Sequence, residues 1–268
     1  MANDLSVLFL GDVVGDNGLE FVVSNLQMLI EKYDANYIVV NGENVWQGKG
    51  INEAEANQLF DAGVHVITTG NHIWENWKSR PLIASNNKVL RPLNYPSGNP
   101  GMGFHITIND EVEAAVVQLQ GRTFMAHIDC PFKAADFAIK KISEKTHNII
   151  VDFHADATAE KMAMGWYLDG KVSAVLGTHT HTPTADAQIL PKGTAYITDV
   201  GMCGPHNSVI GMNKDVAIKR YILQTAHKYE VAEGDLKING VNIKIDASTG
   251  QAMSIEHFTY PKFVNQLG

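Results

Sequence analysis

His179 and His181 stand two residues apart just beyond Val172–Leu176, an apolar run that reads as a buried strand ended by Gly177. Residues two apart in an extended segment project to the same side, so both imidazoles can face one point. Two histidines so placed form half of a metal site; the alternative is a polar loop with solvated histidines. Other ligand-type residues also follow short apolar runs. Asp12 comes after Leu5–Leu10, Glu43 and Asn44 after Tyr37–Val40, Asn71 and His72 after Val64–Thr68, and His154 after Asn148–Phe153. Individually, Asp12 reads equally as a helix cap, Asn44 as a turn residue and His154 as a core histidine. Their common place at strand ends favours one site, because open α/β sheets bind ligands outside the carboxyl ends of their strands. Two carboxylates, two amides and four histidines, without a thiolate, suit Fe, Mn, Zn or Co. A carboxylate in such a set can bridge two ions.

The elements that must carry these residues alternate. A helix to about Tyr33 is expected to start from Asp16 or Asn17, with Phe21, Leu26, Leu29 and Ile30 on its apolar side. Asn52 is read as the cap of a helix over about Glu53–Ala62. Strand, helix, strand, helix, strand at this spacing indicates a mostly parallel α/β sheet. After the turn-rich loop Arg91–Gly103, Phe104–Ile108 and Ala114–Leu119 read as a hairpin across Asn109-Asp110-Glu111. Helices are expected over Phe132–Glu144 and Ala157–Leu168, a strand at Ala195–Thr198, and a glycine-rich loop at Val200–Gly211. Asp235–Asp246 and Met253–Phe258 form a second hairpin. The expected architecture is one domain, 1–268, made of two sheets covered by helices, with an irregular, cap-like insertion at roughly 90–130.

Composition narrows the function. With 45% hydrophobic and 19% charged residues the chain is globular. A net charge of −8 argues against broad binding to nucleic-acid backbones or anionic membranes. Cys130 and Cys203 read as ordinary thiols of a reducing compartment. No signal peptide or apolar span is visible, so a cytoplasmic protein is expected. Lys49 makes no phosphate loop, since the G-x-x-x-x-G-K-[ST] spacing is missing.

Gly-Asp-x-x-Gly (11–15), Asn-Gly-Glu-Asn (41–44), Gly-Asn-His (70–72), an isolated His154 and Gly-Thr-His-Thr-His (177–181) resemble, in order, the motifs of the calcineurin-like metallophosphoesterases. The chain departs from that superfamily's usual pattern: Val14 stands for a His, Glu43 for the bridging Asp, Ile73 follows His72, and a Thr is inserted in the last motif. These departures, with Thr-Gly-Asn-His-Ile-Trp (69–74), Asp-Phe-His-Ala (152–155) and Thr-Asp-Val-Gly-Met-Cys-Gly-Pro (198–205), resemble the YmdB-like phosphodiesterases over nearly the whole chain.

The resemblance implies a four-layer sandwich of two mixed sheets and a dinuclear centre. One ion would be held by Asp12, Glu43, Asn44 and His181, the other by Glu43, Asn71, His154 and His179, with iron favoured over Mn or Zn. It further implies metal-activated hydroxide attack on 2′,3′-cyclic nucleotides to give 3′-nucleotides, with His72 as general acid; the alternative for His72 is a residue that only orients Asn71. Trp46, Trp74 and Phe104 are candidates for stacking on a base or for packing. Val200–Gly211 would shape the pocket or an oligomer contact, a homo-oligomer being one expectation, and Cys203 is read as an apolar filler. The competing functions are a phosphomonoesterase or phosphoprotein phosphatase on the same site, and a regulator that only binds a nucleotide or RNA end.

Overall fold

In the computed structural model, which describes residues 4–109 and 112–263, β1 (Leu5–Leu10) is buried along its whole length. Leu5, Val7 and Phe9 enter one core and Leu8 and Leu10 another, as the two-residue period of a strand requires. After Gly11 come β2 (Asp12–Val13) and α1 (Gly15–Tyr33), whose Leu19, Val22, Leu26 and Leu29 cover Leu8 and Leu10. β3 (Tyr37–Asn41) divides its side chains in the same way, Tyr37 and Val39 against Ile38 and Val40. α2 (Glu53–Asp61) starts from a capping box: Asn52 accepts the Ala54 and Glu55 amides, and Glu55 accepts the Asn52 amide. β4 (Val66–Thr68), a 3-10 turn at Asn71–Trp74, α3 (Ser79–Ser85) and β5 (Val89–Leu90) follow.

β6 (Phe104–Asn109) and β7 (Val112–Gln120) pair antiparallel, with Asp110 and Glu111 outside the described residues. Next come α4 (Pro131–Ile142), β8 (Ile149–His154), α5 (Thr158–Leu168) and β9 (Ala174–Thr178). The chain continues through β10 (Gln188–Ile189), β11 (Ala195–Ile197), β12 (Met202–Pro205) and α6 (Lys214–Leu223) to the hairpin of β13 (Leu236–Ile245) and β14 (Ala252–Tyr260).

The strands form an eight-stranded sheet, β2-β12-β13-β1-β3-β4-β5 with β14 on β13, and a six-stranded sheet, β10-β11-β9-β8-β7-β6. Both are mixed. β1, β3, β4 and β5 are parallel with β13 antiparallel beside them; β7, β8, β9 and β11 are parallel with antiparallel edges. Phe9, Val39, Ile150, Leu176 and Val241 fill the core between the sheets. α1 covers the outer face of the first sheet, and Ala138 of α4 and Met164 of α5 cover that of the second. The four layers implied by the resemblance are therefore present.

Several local expectations shift. α1 begins at Gly15 rather than after Asp16 or Asn17, and Val14 precedes it without a side-chain cap. Tertiary partners take the local amides instead: Val14 donates to the Cys203 carbonyl and Gly15 to that of Asn44. The strand expected at Val172–Leu176 lies at Ala174–Thr178, because β9 stays in register with β8 as far as Thr178 opposite His154. The loop at Val200–Gly211 contains β12, paired with β2 and β13. Residues 90–130 hold β6 and β7, which form one edge of the second sheet. α6, not expected from the sequence, buries only Ala217 and leaves Ile218, Tyr221, Ile222 and Leu223 exposed. Among the described residues, no helix is long and apolar enough to cross a membrane.

Gly177 lies inside β9 for a steric reason. A Cβ there would sit 1.7 Å from the Thr198 carbonyl oxygen, a backbone group that cannot rotate away. Gly177→Ala is expected to destabilise the fold by about 3 kcal/mol or more, a fall in Tm of roughly 6 °C or more. Thermal unfolding followed by circular dichroism measures this, and an unchanged Tm would refute the tight packing.

Candidate metal centre

The carboxyl ends of the parallel strands in both sheets meet. Asn41, at the end of β3, donates its side-chain amide to Asp152 of β8 at 2.9 Å and to Thr178 of β9 at 3.3 Å. Around this junction the structure gathers all seven expected ligands and His72. Asp12 Oδ2 accepts the His179 amide at 3.1 Å, across most of the chain. His181 Nε2 lies 3.2 Å from Asn44 Oδ1 and 3.9 Å from Asp12 Oδ1. His154 Nε2 lies 3.0 Å from His179 Nδ1 and 3.7 Å from Glu43 Oε1. Glu43 receives the amides of Gly70 and His72, one on each carboxylate oxygen, which ties the Asn71 turn to the centre.

Backbone geometry aims these donors. His179 and His181 adopt positive φ angles of 98° and 64°, conformations that L-residues hold only when their surroundings impose them. Between them, Thr180 donates its amide and hydroxyl to Asp199 Oδ2 at 3.1 and 2.7 Å. Asp199 is in turn paired with Lys161 at 2.6 Å, both side chains being 1% exposed. This buried ion pair anchors the histidine loop. His181 Nδ1 faces the Ile210 carbonyl at 2.8 Å, so its proton belongs there and Nε2 keeps a lone pair for the site. The Asn44 amide donates to the Gly48 carbonyl at 2.9 Å, which turns Oδ1 towards His181. A Cβ at Gly70 would lie 2.4 Å from His154 Nε2, so only glycine lets that ring approach the turn.

The electrostatics call for a cation. Burial, reinforced by Asp199, pushes Asp12 up to about 7, and burial holds Glu43 well above the carboxylate range. Burial equally lowers His154 and His181 and takes His179 down to about 3, so the imidazoles are neutral donors. Asp12 Oδ1 and Asn71 Oδ1 are buried without a hydrogen-bond partner. Buried, unpaired oxygens are costly in a folded protein unless something else binds them. Among the described residues, no three His, Cys, Asp or Glu groups close a cage by themselves; the oxygens of Asn44 and Asn71 extend the set. Carboxylates, neutral imidazoles and amide oxygens together suit borderline and hard divalent ions.

A cleft of about 340 Å³ opens beside these groups, lined by Asn44, His72, His179 and His181 and walled by Lys49, Ile210 and Tyr229. The match to one family decides what kind of centre this is: residues 8–258 fit the model of the YmdB-like protein family. The chain belongs to the YmdB-like family. It is 45% identical over 252 residues, 94% of this chain and 96% of the other, to the 2′,3′-cyclic-nucleotide 2′-phosphodiesterase of Bacillus subtilis strain 168. A solved phosphatase from Mycoplasma pneumoniae superposes with a TM-score of 0.91 at 36% identity, covering 97% of this chain and 94% of that one. A Staphylococcus aureus putative 5′-nucleotidase shares the fold alone, with a TM-score of 0.63 at 12% identity over 98% of this chain and 55% of that one. This YmdB-like chain is a metallophosphoesterase of the calcineurin-like fold, a hydrolase whose family implies divalent metals.

Some functional groups of this YmdB-like centre were not legible beforehand. Glu75 Oε1 binds His72 Nδ1 at 2.7 Å, and Lys49 pairs with the other carboxylate oxygen. The superfamily's acidic residue after the histidine is replaced by Ile73 here, and Glu75 supplies a carboxylate from the same turn. An acidic residue within one turn was the available signal; nothing in the sequence linked Lys161 to Asp199. Of the aromatic candidates, Trp74 packs on Tyr95 with ring centroids 5.2 Å apart, Trp46 lies beneath Lys78, and Phe104 packs against the core of the second sheet. The aromatic wall of the cleft is Tyr229 instead. Cys203 is buried against the Asn239 carbonyl at 3.3 Å, and burial raises its pKa, as a filler rather than a nucleophile requires.

Proposed function

We propose that the chain hydrolyses 2′,3′-cyclic nucleotides at a two-ion centre, opening the ring at the 2′ bond to leave a 3′-nucleotide. The observation that carries this reading is the pairing of donors on either side of Asp12 and Glu43. His181 with Asn44 and Asp12 forms one group, and His154 with His179 and Glu43 forms the other. Asp12, Glu43, Asn44 and His181 would hold the first ion; Glu43, Asn71, His154 and His179 would hold the second. When bound, such ions supply Lewis acidity, activating water and neutralising phosphoryl charge. The donor set suits Fe, Mn or Zn, and the family resemblance favours iron among them.

The chain's own residues account for the remainder. Water adds its oxygen to phosphorus, the bond from phosphorus to O2′ breaks, and His72 returns a proton to O2′. His72 lines the cleft, and with Nδ1 engaged by Glu75 it has Nε2 free for that transfer. Ile210 and Tyr229 offer an apolar wall that suits a base, and Lys49 a cation near the phosphate. The name of the Bacillus subtilis relative supports the same substrate class.

Metal analysis combined with three substrates tests the proposal. Two ions per chain are expected, with bis-p-nitrophenyl phosphate cleaved faster than p-nitrophenyl phosphate, and 2′,3′-cAMP converted to 3′-AMP. Faster hydrolysis of the monoester would favour the phosphomonoesterase reading. No turnover by fully metallated protein would leave only a binding role.

A further inference from the structure

The residue inserted into the histidine motif, Thr178, is fully buried and touches two other fully buried groups. Its hydroxyl lies 2.9 Å from His154 Nδ1 and 2.7 Å from Asp152 Oδ1. The second oxygen of Asp152 accepts the Thr68 hydroxyl at 2.5 Å and the Asn41 amide at 2.9 Å. Among the described residues, Asp152 has no cationic side chain against it; Asn41, Thr68 and Thr178 donate to its carboxylate. A buried carboxylate held only by neutral donors is expensive to keep, and it adds nothing to the apolar packing around it. Asp152 is not among the ligands proposed above.

We infer that Asp152, acting through Thr178, is a positioning residue that fixes the tautomer of His154. The inference rests on the two-ion reading. With Asp152 ionised, counting protons leaves one arrangement. Thr68 and Asn41 both donate to Asp152 Oδ2, and the ionised carboxylate is the acceptor throughout this cluster. Thr178 has a single hydroxyl proton, and giving it to Asp152 Oδ1 leaves the Thr178 oxygen as an acceptor for His154. The His154 proton then belongs on Nδ1, and Nε2 keeps its lone pair. Nε2 is the atom that faces His179 Nδ1 and Glu43 Oε1. The other nearby acceptor for Nδ1, Asp12 Oδ1, is 3.7 Å away, beyond hydrogen-bond range. His181 is fixed by a backbone carbonyl; His154 is fixed by a carboxylate reached through the inserted threonine. The insertion thus has a chemical purpose.

Asp152→Asn reverses the relay without changing its shape. Thr68 and Asn41 still need an acceptor, so the new amide oxygen stays on their side and the amide nitrogen faces Thr178. That nitrogen donates to the Thr178 oxygen, the hydroxyl proton turns to His154 Nδ1, and the imidazole proton moves to Nε2. An Asp→Asn change behind a histidine elsewhere leaves geometry intact and selects the wrong tautomer in the same manner.

The test uses the full-length chain with 15N-labelled histidine. In the ion-free protein near neutral pH, His154 is expected as the Nδ1–H tautomer in the wild type and as Nε2–H in Asp152→Asn. Ion titration of Asp152→Asn and Thr178→Val is expected to show one of the two ions bound about 10–100-fold more weakly and the other unchanged. Thr178→Ser, which keeps the hydroxyl, is expected to retain wild-type affinity for both, so loss in Thr178→Val cannot be assigned to general misfolding. An unchanged tautomer in Asp152→Asn, or unchanged affinities in both Asp152→Asn and Thr178→Val, would overturn the inference. A wild-type chain that binds fewer than two ions would instead overturn the reading on which it rests.

Discussion

Glu43→Gln is expected to lose its ions and its turnover together. Glu43 is fully buried, and each carboxylate oxygen receives one backbone amide, from Gly70 or from His72. A glutamine offers one oxygen for two donors, so its NH₂ group opposes an N–H and pushes the Asn71 turn away. It also removes the charge proposed to sit between the ions. Deleting one partner of a buried charged pair costs roughly 3–5 kcal/mol, about 10²–10³-fold or more in ion affinity at 1.4 kcal/mol per decade. Elemental analysis after dialysis and calorimetric titration give the measurement. Glu43→Gln that keeps two ions and wild-type turnover would end the shared-ligand assignment.

The same carboxylates set a pH dependence for ion uptake. Without a cation, burial places Asp12 at about 7 and holds Glu43 well above the carboxylate range, so ions must displace protons to bind. Apparent affinity is therefore expected to weaken as pH falls below about 7 and to strengthen as pH rises through it. The histidines do not oppose this, because burial already keeps them neutral.

His72→Ala is the second large effect, and its pattern across substrates carries the information. Removing a general acid lowers kcat by about 10²–10⁴-fold, and the loss should track the leaving group. The alkoxide released from 2′,3′-cAMP needs a proton as it departs, whereas p-nitrophenolate does not. His72→Ala should therefore lose most of its activity on 2′,3′-cAMP, less on bis-p-nitrophenyl phosphate, and no bound ion. Equal losses on both substrates together with a lost ion would instead make His72 a residue that orients Asn71.

Glu75 gives this prediction a pH signature. Burial lowers the His72 pKa, while the Glu75 carboxylate works against it by favouring the imidazolium. A general acid loses rate as pH rises through its pKa. Glu75→Gln removes the opposing charge and lowers that pKa further, so the alkaline limb of the kcat profile should move to lower pH. A limb that stays in place would remove Glu75 from the relay.

The sequence alone marked the residues of the candidate centre and their place at the strand ends of the fold. Short continuous apolar runs marked the buried strands, and ligand-type residues directly after them pointed to the strand ends as the candidate site. Asn52 announced a helix start in its own side chain, and the structure adds Glu55 to complete a capping box there. These signals are local, written within a few residues by backbone period and side-chain chemistry.

Other features depended on contacts that only the folded chain supplies. Thr198 decides that Gly177 lies within β9, and Asp199 and Lys161 together anchor the histidine loop. Glu75 reaches His72 across the 3-10 turn, and Asp152 reaches His154 through Thr178. The pairs around β8 and β9 are cross-strand or strand-to-helix contacts of the second sheet, where burial makes an unpaired polar atom costly and so dictates which partner it finds. His179 and His181 show the division most clearly: their spacing marked them as ligands, but their left-handed backbone turned one towards His154 and the other towards Asn44. That choice belongs to the tertiary structure, because only packing around the loop can hold two non-glycine residues in a conformation the isolated chain disfavours.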